Sequence, residues 1–438
     1  MKTYLKEKAQ FVILLSLWYI TGVYGDLFVY PLVLLSLLLM RKKEMWGDMI
    51  LGFFFILILS DNRHYYLFFA KDLKTYYVVI LSAFYFFNRK EFDYVNNVYR
   101  PFIFFMIVAV LAMYDCVSYA VTIQKTASYI LLFVIVPLYI IKAYKEHGEG
   151  FFRDIIYFTF MILLIGILIG HGFNNFTYYV DRYCGMLGNP NGLALYAFLS
   201  FLVVAVVNSY FPSLFTRIEL IVIYAVVGYS VYLSGGRDAL FSILIFLFFS
   251  RFYRMSPFIG FIIFFTITFS YELILDNLAP VAQALGLAKY LRVDTLSDAS
   301  GRYVAWNFAW EEIQNSFYLG RGFAYDEYYF GLDENQNYLN WMGHQGGVHN
   351  TYLSLWMNTG IIGFVLHFLA FVYSFYKGAT NSFMSYPIMY AILFSITYES
   401  WLMASLNPFT IQFLIIATLL TSSYFNEERK KENIIPVH

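Results

Sequence analysis

The chain has 438 residues, of which 60% are hydrophobic, 22% aromatic and only 13% charged, with a mean hydropathy of +0.60. A soluble domain carries about 25% charged residues, so a water-soluble protein of this length is excluded. The 29 Lys and Arg balance 29 Asp and Glu, which argues against a nucleic-acid binder, and two cysteines cannot make a disulfide scaffold or a cysteine-based zinc site.

A membrane-crossing helix takes about 20 apolar residues, with about 17 the usual minimum. The chain offers fourteen apolar stretches, at 10–25, 27–40, 45–60, 66–88, 101–114, 126–141, 154–170, 191–208, 218–234, 238–250, 256–275, 350–376, 384–400 and 407–424. Several are short, so twelve to fourteen transmembrane helices are expected, in an all-α polytopic membrane protein. The first stretch runs directly into the second without a small-residue cleavage site, so it reads as a span and not as a cleaved signal. Residues 1–170 read as an N-terminal transmembrane bundle. Residues 171–438 read as a catalytic transmembrane part that includes a large polar loop, 276–349.

Lysines and arginines concentrate on the cytoplasmic side of a bilayer. With the N-terminus inside and strict alternation, 19 of the 29 basic residues fall inside and 10 outside, and both termini are cytoplasmic. The 276–349 loop then lies outside, with nine acidic and four basic residues. Cys116 and Cys184 both reach outer loops, which leaves a disulfide between them open.

Taken in chain order, four motifs on the outer side carry chemistry. Asp181–Arg182–Tyr183 through Asn189–Pro190–Asn191 leads into a span, with Asn–Pro–Asn marking a turn into a helix and Arg182 a candidate anion contact. Ser234–Gly235–Gly236–Arg237–Asp238 joins two spans with almost no loop. A helix starting at Arg237 would aim free N–H groups and a guanidinium at one place, which is the physics of a phosphate site. Ser300–Gly301–Arg302 repeats that arrangement and opens an amphipathic helix. Its Tyr303, Trp306, Trp310 and Ile313 share one face suited to the outer interface. Val348–His349–Asn350–Thr351–Tyr352 returns the loop to the membrane, and a neutral His349 could take a proton from a sugar hydroxyl. His344 reads as a flexible-loop residue among glycines, and His367 as a hydrogen-bonded core residue. Glu399, in Tyr398–Glu399–Ser400, ends the penultimate span as a further site candidate or a cap.

These pieces in this order resemble the bacterial O-antigen ligase and O-antigen polymerase (Wzy-type) superfamily. The resemblance rests on Arg182…Gly188–Asn189–Pro190–Asn191, Ser234–Gly235–Gly236–Arg237, Ser300–Gly301–Arg302…Trp306, Gly320–Arg321–Gly322, and His349–Asn350–Thr351–Tyr352 with Asn358–Thr359–Gly360–Ile361–Ile362–Gly363. It implies a membrane glycosyltransferase of the C type, without metal or other cofactor, using a polyprenyl-pyrophosphate-linked glycan donor. Arg237 and Arg302 would hold the pyrophosphate and His349 would deprotonate the acceptor, with Arg182, Arg321 and Glu399 as additional candidates. Asp238 departs from the family pattern, and a carboxylate turned inward there would oppose phosphate binding.

Implied surroundings are the bacterial inner membrane, a glycan or lipid acceptor, and a flippase and a chain-length regulator as candidate partner proteins. Polymerase and ligase share this chemistry; the divergent, Tyr- and Phe-rich N-terminal half favours the polymerase. A lipid-linked glycan transporter is the lesser alternative, since transporters place ionisable groups near the midplane and show related halves.

Overall fold

The computed structural model describes the chain except residues 1–7, 93–95, 171, 173, 180–181, 285, 287–301, 405, 423 and 426–438. Asp181 and the Ser300–Gly301 part of the third motif fall outside the described residues. In chain order the helices are α1 (Ala9–Tyr24), α2 (Val29–Lys42), α3 (Trp46–Asp61), α4 (Phe69–Phe87), α5 (Ile103–Leu111), α6 (Tyr119–His147), α7 (Gly150–Gly170), α8 (Pro190–Tyr210), α9 (Arg217–Ser234), α10 (Arg237–Arg251), α11 (Pro257–Phe269), α12 (Tyr271–Ala284), α13 (Arg302–Ile313), α14 (Tyr325–Gly331), α15 (Asp333–Trp341), α16 (Thr351–Ala379), α17 (Ser385–Tyr398) and α18 (Pro408–Thr421). A single turn, Asn174–Thr177, precedes a small antiparallel hairpin of β1 (Tyr178–Tyr179) and β2 (Arg182–Tyr183).

Each of the fourteen apolar stretches is helical, so the protein is an all-α polytopic membrane protein. Five helices (α6, α7, α8, α9 and α16) are long and apolar enough to cross a bilayer on length and composition alone. Others are interrupted: the 101–114 stretch holds only nine α-helical residues between two 3₁₀ turns, about 14 Å of rise. The 256–275 stretch breaks at Ser270 into α11 and α12. Both cysteines are free thiols.

The chain forms two compact units. The first comprises Met1–Val98, Leu131–Ser234 and Leu406–His438. Its middle is built from helices apolar on every side: all residues of α18 are buried, and nearly all of α3 and α8. Such helices have no polar face to turn outward, so they sink to the centre. α9 packs on α8 but leaves Ile218 74% and Ile221 67% exposed, a surface suited to lipid. Charged groups lock the helix ends. Lys8 Nζ lies 2.7 Å from Asp48 and 2.9 Å from Asp154, and Arg41 bonds Asn88 and Glu91 at 2.6 Å. At other helix ends, Gly188 N–H donates to Asp61 at 2.9 Å and Lys74 to the Leu406 carbonyl at 3.0 Å. Each lock joins segments that strict alternation assigns to the same side.

The second unit comprises Tyr99–Ile130 and Gly235–Ser405. α17 is buried along almost its whole length and packs against α10 and α16. α16 is broken at Gly360 (φ 65°, ψ −179°). The 317–322 segment crosses at this break and satisfies the backbone groups it frees. Ile361 N–H donates to Phe317 O at 2.8 Å, and Gly322 N–H to Asn358 O at 2.8 Å. The two backbones touch because both sides are glycine: a Cβ on Gly360 would sit 2.1 Å from Tyr318 O, and one on Gly320 2.5 Å from Asn358 C.

α13 corrects two details of the aromatic-face expectation. Its buried side is Ala305, Ala309, Glu312 and Ile313, in a core with Tyr325, Phe330, Leu339, Val348 and Met357. Ile313 therefore belongs to the buried side, while Tyr303 and Trp310 stay 43% and 45% exposed. At 100° per residue Ile313 sits on the border between the two stripes, and packing on α16 decides it. Glu312, which does not belong to the aromatic face, is buried. His367 is a core residue, but it is not hydrogen-bonded: its ring nitrogens meet no partner among the described residues, and it packs on Phe102 and Phe105.

Candidate active site

Three helix ends of the second unit meet around one carboxylate. α17 stops at Tyr398, and Glu399 follows in an extended conformation (φ −144°, ψ 143°). Two hydrogen bonds fix this turn to the start of α16: Thr351 Oγ1 donates to Glu399 O at 2.8 Å, and Asn350 N–H donates to Ser400 Oγ at 3.0 Å. The Asn350 side chain caps α16 by accepting from Leu353 N–H at 3.1 Å, so the residue before it, His349, is presented at a helix mouth. α13 supplies Arg302 from its first position.

Glu399 bridges the other two groups. Oε1 lies 3.1 Å from Arg302 Nη2, and Oε2 lies 3.2 Å from His349 Nδ1. The Arg302 guanidinium also lies over the Tyr398 ring, 5.5 Å from its centre, an attractive cation–π contact. Burial pulls the Arg302 pKa down, but the charges of Asp238 and Glu399 more than offset it, and it ends raised. In the tautomer with its proton on Nδ1, His349 would donate to Glu399 and leave Nε2 to accept, the way a carboxylate orients an imidazole.

His349 is held under strain. Its φ is +47°, one of three non-glycine residues with positive φ among those described, at a cost of order 1–2 kcal/mol. The preceding loop makes room for its ring. Gly346 has φ +104°, and a Cβ there would lie 2.9 Å from His349 Nε2. His344 is not the flexible-loop residue its glycine neighbours suggested. It is 2% exposed, its Nε2 lies 2.9 Å from Gly347 O, and its ring meets the His349 ring edge-on at 5.8 Å. The glycines fold the loop back on itself, which buries His344 and leaves Gln345 exposed.

The Ser234–Gly235–Gly236–Arg237 turn starts α10 at Arg237, with Gly236 as the residue before the helix. Arg237 is 8% and Asp238 7% exposed, so both point inward. Asp238 acts electrostatically on Arg302 and on Glu399, which joins the Arg237 turn to the Arg302–Glu399–His349 group. The inward carboxylate foreseen as a complication is therefore present, and its charge acts on Arg302.

The remaining candidates sit elsewhere. Arg321 lies 3.7 Å from Glu312, with its guanidinium 5.1 Å from the Tyr325 ring centre. Glu312 is ten residues from Arg302 on α13, about 15 Å along the axis, so Arg321 serves the far end of that helix. Arg182, in the first unit, donates from Nη2 to the Ser234 carbonyl at 2.8 Å and to Asn191 Oδ1 at 3.1 Å. It ties down the end of α9, the last helix before the Arg237 turn. Asn189 caps α8 with Pro190 at its first turn, the helix start that Asn–Pro–Asn signals.

Glu399, which the sequence offers as a further site candidate or a cap, is the centre of the cluster. The available signal was a carboxylate at the end of an apolar span, which is costly unless paired. Among the described residues, no group of three or more His, Cys, Asp or Glu side chains is placed to hold a metal ion.

A family model described as O-antigen ligase matches residues 116–368, more than half of the chain. The matched region contains Arg182, Arg237, Arg302, Arg321 and His349 and stops before Glu399. No curated protein matches the chain.

Proposed function

The chain belongs to the O-antigen ligase family, and on that premise we propose that it transfers an oligosaccharide from a polyprenyl-pyrophosphate carrier to an acceptor hydroxyl, at the outer face of the bacterial inner membrane. The observation that carries this reading is the Arg302–Glu399–His349 chain. It holds a phosphate-binding cation and a candidate base on the two oxygens of one carboxylate, at 3.1 and 3.2 Å.

In the proposed step, the acceptor oxygen bonds to the anomeric carbon while the bond from that carbon to the pyrophosphate oxygen breaks. The electron pair leaves with the pyrophosphate, and the hydroxyl proton passes to His349 Nε2. Attack opposite the leaving group inverts the anomeric configuration. Arg237 and Arg302 take up the charge of the departing pyrophosphate through fork-shaped contacts. Glu399 steadies the imidazolium as it forms, and a positioned base contributes about 10²–10⁴-fold. Donor binding draws Arg302 toward phosphate and leaves Glu399 to His349, which links donor occupancy to base strength. These groups supply cationic stabilisation and proton transfer without a metal, so chelation should leave activity intact.

Polymerisation of lipid-linked repeat units is the favoured reaction, with a flippase and a chain-length regulator as partners. Ligation to lipid A core or another acceptor is the second reading, favoured by the family's own description. The surface-glycan gel pattern of a deletion strain separates them. A lost polymerase leaves one repeat unit on the acceptor; a lost ligase leaves none and accumulates lipid-linked glycan. An unchanged pattern with normal lipid-linked pools would refute both.

A further inference from the structure

We infer that α15 and its C-terminal turn form a docking platform for the acceptor glycan, and that this glycan lacks acidic groups. The inference rests on the transferase reading in its polymerase form, where the acceptor is a second copy of the lipid-linked repeat unit, and names the chemistry of that acceptor.

The sequence of α15 is Asp–Glu–Asn–Gln–Asn–Tyr–Leu–Asn–Trp. Only Leu339 is buried; Trp341 is 81% and Tyr338 47% exposed, their ring centres 6.5 Å apart. An exposed tryptophan on a membrane protein ordinarily belongs to the interfacial belt. Here Asp333, Glu334, Gln336, Asn337 and Asn340 are exposed around it, and a surface of carboxylates and amides does not enter hydrocarbon. The rings therefore face water. Flat rings beside amides and carboxylates suit a sugar: its C–H face lies on the ring, and its hydroxyls pair with planar polar groups.

The platform is preorganised and tied to the base. Leu339 shares a core with Val348, the residue before His349. Asn335 Nδ2 donates to Tyr329 O at 2.8 Å. After Trp341 the chain turns back, His344 N–H donating to Leu339 O at 2.8 Å, and reaches His349 eight residues on. Trp341 and His349 thus stand at the two ends of one short turn packed on a shared core, and rigid platforms lose little entropy on binding.

Charge selects the class. Residues 302–349 contain six carboxylates and two arginines, and both arginines are paired with carboxylates. Glu311, Asp333 and Glu334 are exposed. A glycan carrying uronic acids or phosphate would be repelled, whereas neutral or amino sugars would not.

The test uses the full chain in nanodiscs and the oligosaccharide released by mild acid from the cell's own polyprenyl-pyrophosphate pool. Binding should change tryptophan emission in wild type. Trp341→Ala should weaken binding at least tenfold and raise the acceptor KM by a similar factor, with kcat within twofold. Trp341→Phe should restore most of the affinity. Unchanged affinity and KM in both Trp341→Ala and Tyr338→Ala would overturn the platform. So would quenching of the Trp341 emission by brominated lipid, which would make the residue a membrane anchor. Uronic acid or phosphate in the released oligosaccharide would overturn the assigned class. If wild type binds the oligosaccharide through Trp341 but transfers nothing, the platform stands and the transferase reading falls.

Discussion

At the scale of single residues, one carboxylate divides its oxygens between an arginine and a histidine, and the roles proposed for these two are separable by substitution. Glu399→Gln keeps the shape but removes the charge that orients His349. Turnover should fall about 100-fold or more, while the donor KM holds or drops because Arg302 is released to phosphate. A steady-state assay with polyprenyl-pyrophosphate glycan checks both; retained kcat would remove Glu399 from the mechanism. Arg237→Ala and Arg302→Ala should abolish transfer while the protein still accumulates, and Arg→Lys should rescue poorly because an ammonium cannot replace a bidentate fork. His349→Ala should lose the chemical step but keep donor binding. His344→Ala should disturb the loop before His349, since that ring is buried and bonded to Gly347 O. It should lose turnover as well, whereas His344→Gln, able to reach the same carbonyl, should recover part of it. Full activity in His344→Ala would show that the loop does not position His349.

At the scale of elements, the decisive device is the crossing of the 317–322 segment over the broken turn of α16. Helix breaks have identifiable causes, and this one is a pair of glycines in backbone contact. Gly360→Ala drives a methyl to within 2.1 Å of Tyr318 O at a φ of 65°. Loss of roughly 2 kcal/mol or more is expected, seen as a lower Tm in detergent and poor accumulation. A Tm unchanged from wild type would mean the crossing is soft. The same crossing anchors the Gly320–Arg321–Gly322 turn and sends Arg321 to Glu312, which a linear reading of Arg321 beside the other arginines could not foresee.

At the scale of the whole molecule, the same-side pairing of helix ends in the first unit agrees with strict alternation. The Lys8–Asp48–Asp154 group sets one lysine against two buried carboxylates. Removing its lysine leaves two carboxylates uncompensated, so Lys8→Ala should cost about 3 kcal/mol. Thermal unfolding in detergent measures it, and a shift of less than a degree would make the group dispensable. Sidedness itself needs a label: with both native cysteines replaced by serine, Asn337→Cys should react with an impermeant maleimide in cells with a permeabilised outer membrane. Protection until lysis would invert the topology.

The sequence alone determined the class, the helical segments and the residue types at their ends, because these follow from composition, hydropathy and local turn chemistry. Burying so many apolar residues with so few charges requires a bilayer. Ser–Gly–Gly–Arg and Asn–Pro start helices wherever they occur between apolar runs. Arg302 and His349 stand out in the sequence because a cation and an imidazole at the edge of an apolar span are costly without a use. Only the tertiary structure decided which candidates meet. Glu399 lies 50 residues beyond His349 and 97 beyond Arg302, and no local pattern reports a contact at that separation. The burial of His344 and the pairing of Arg321 with Glu312 were likewise settled by packing. Long-range contacts depend on how helices break and cross, and here that rests on two glycine backbones fitting where a single methyl group would not.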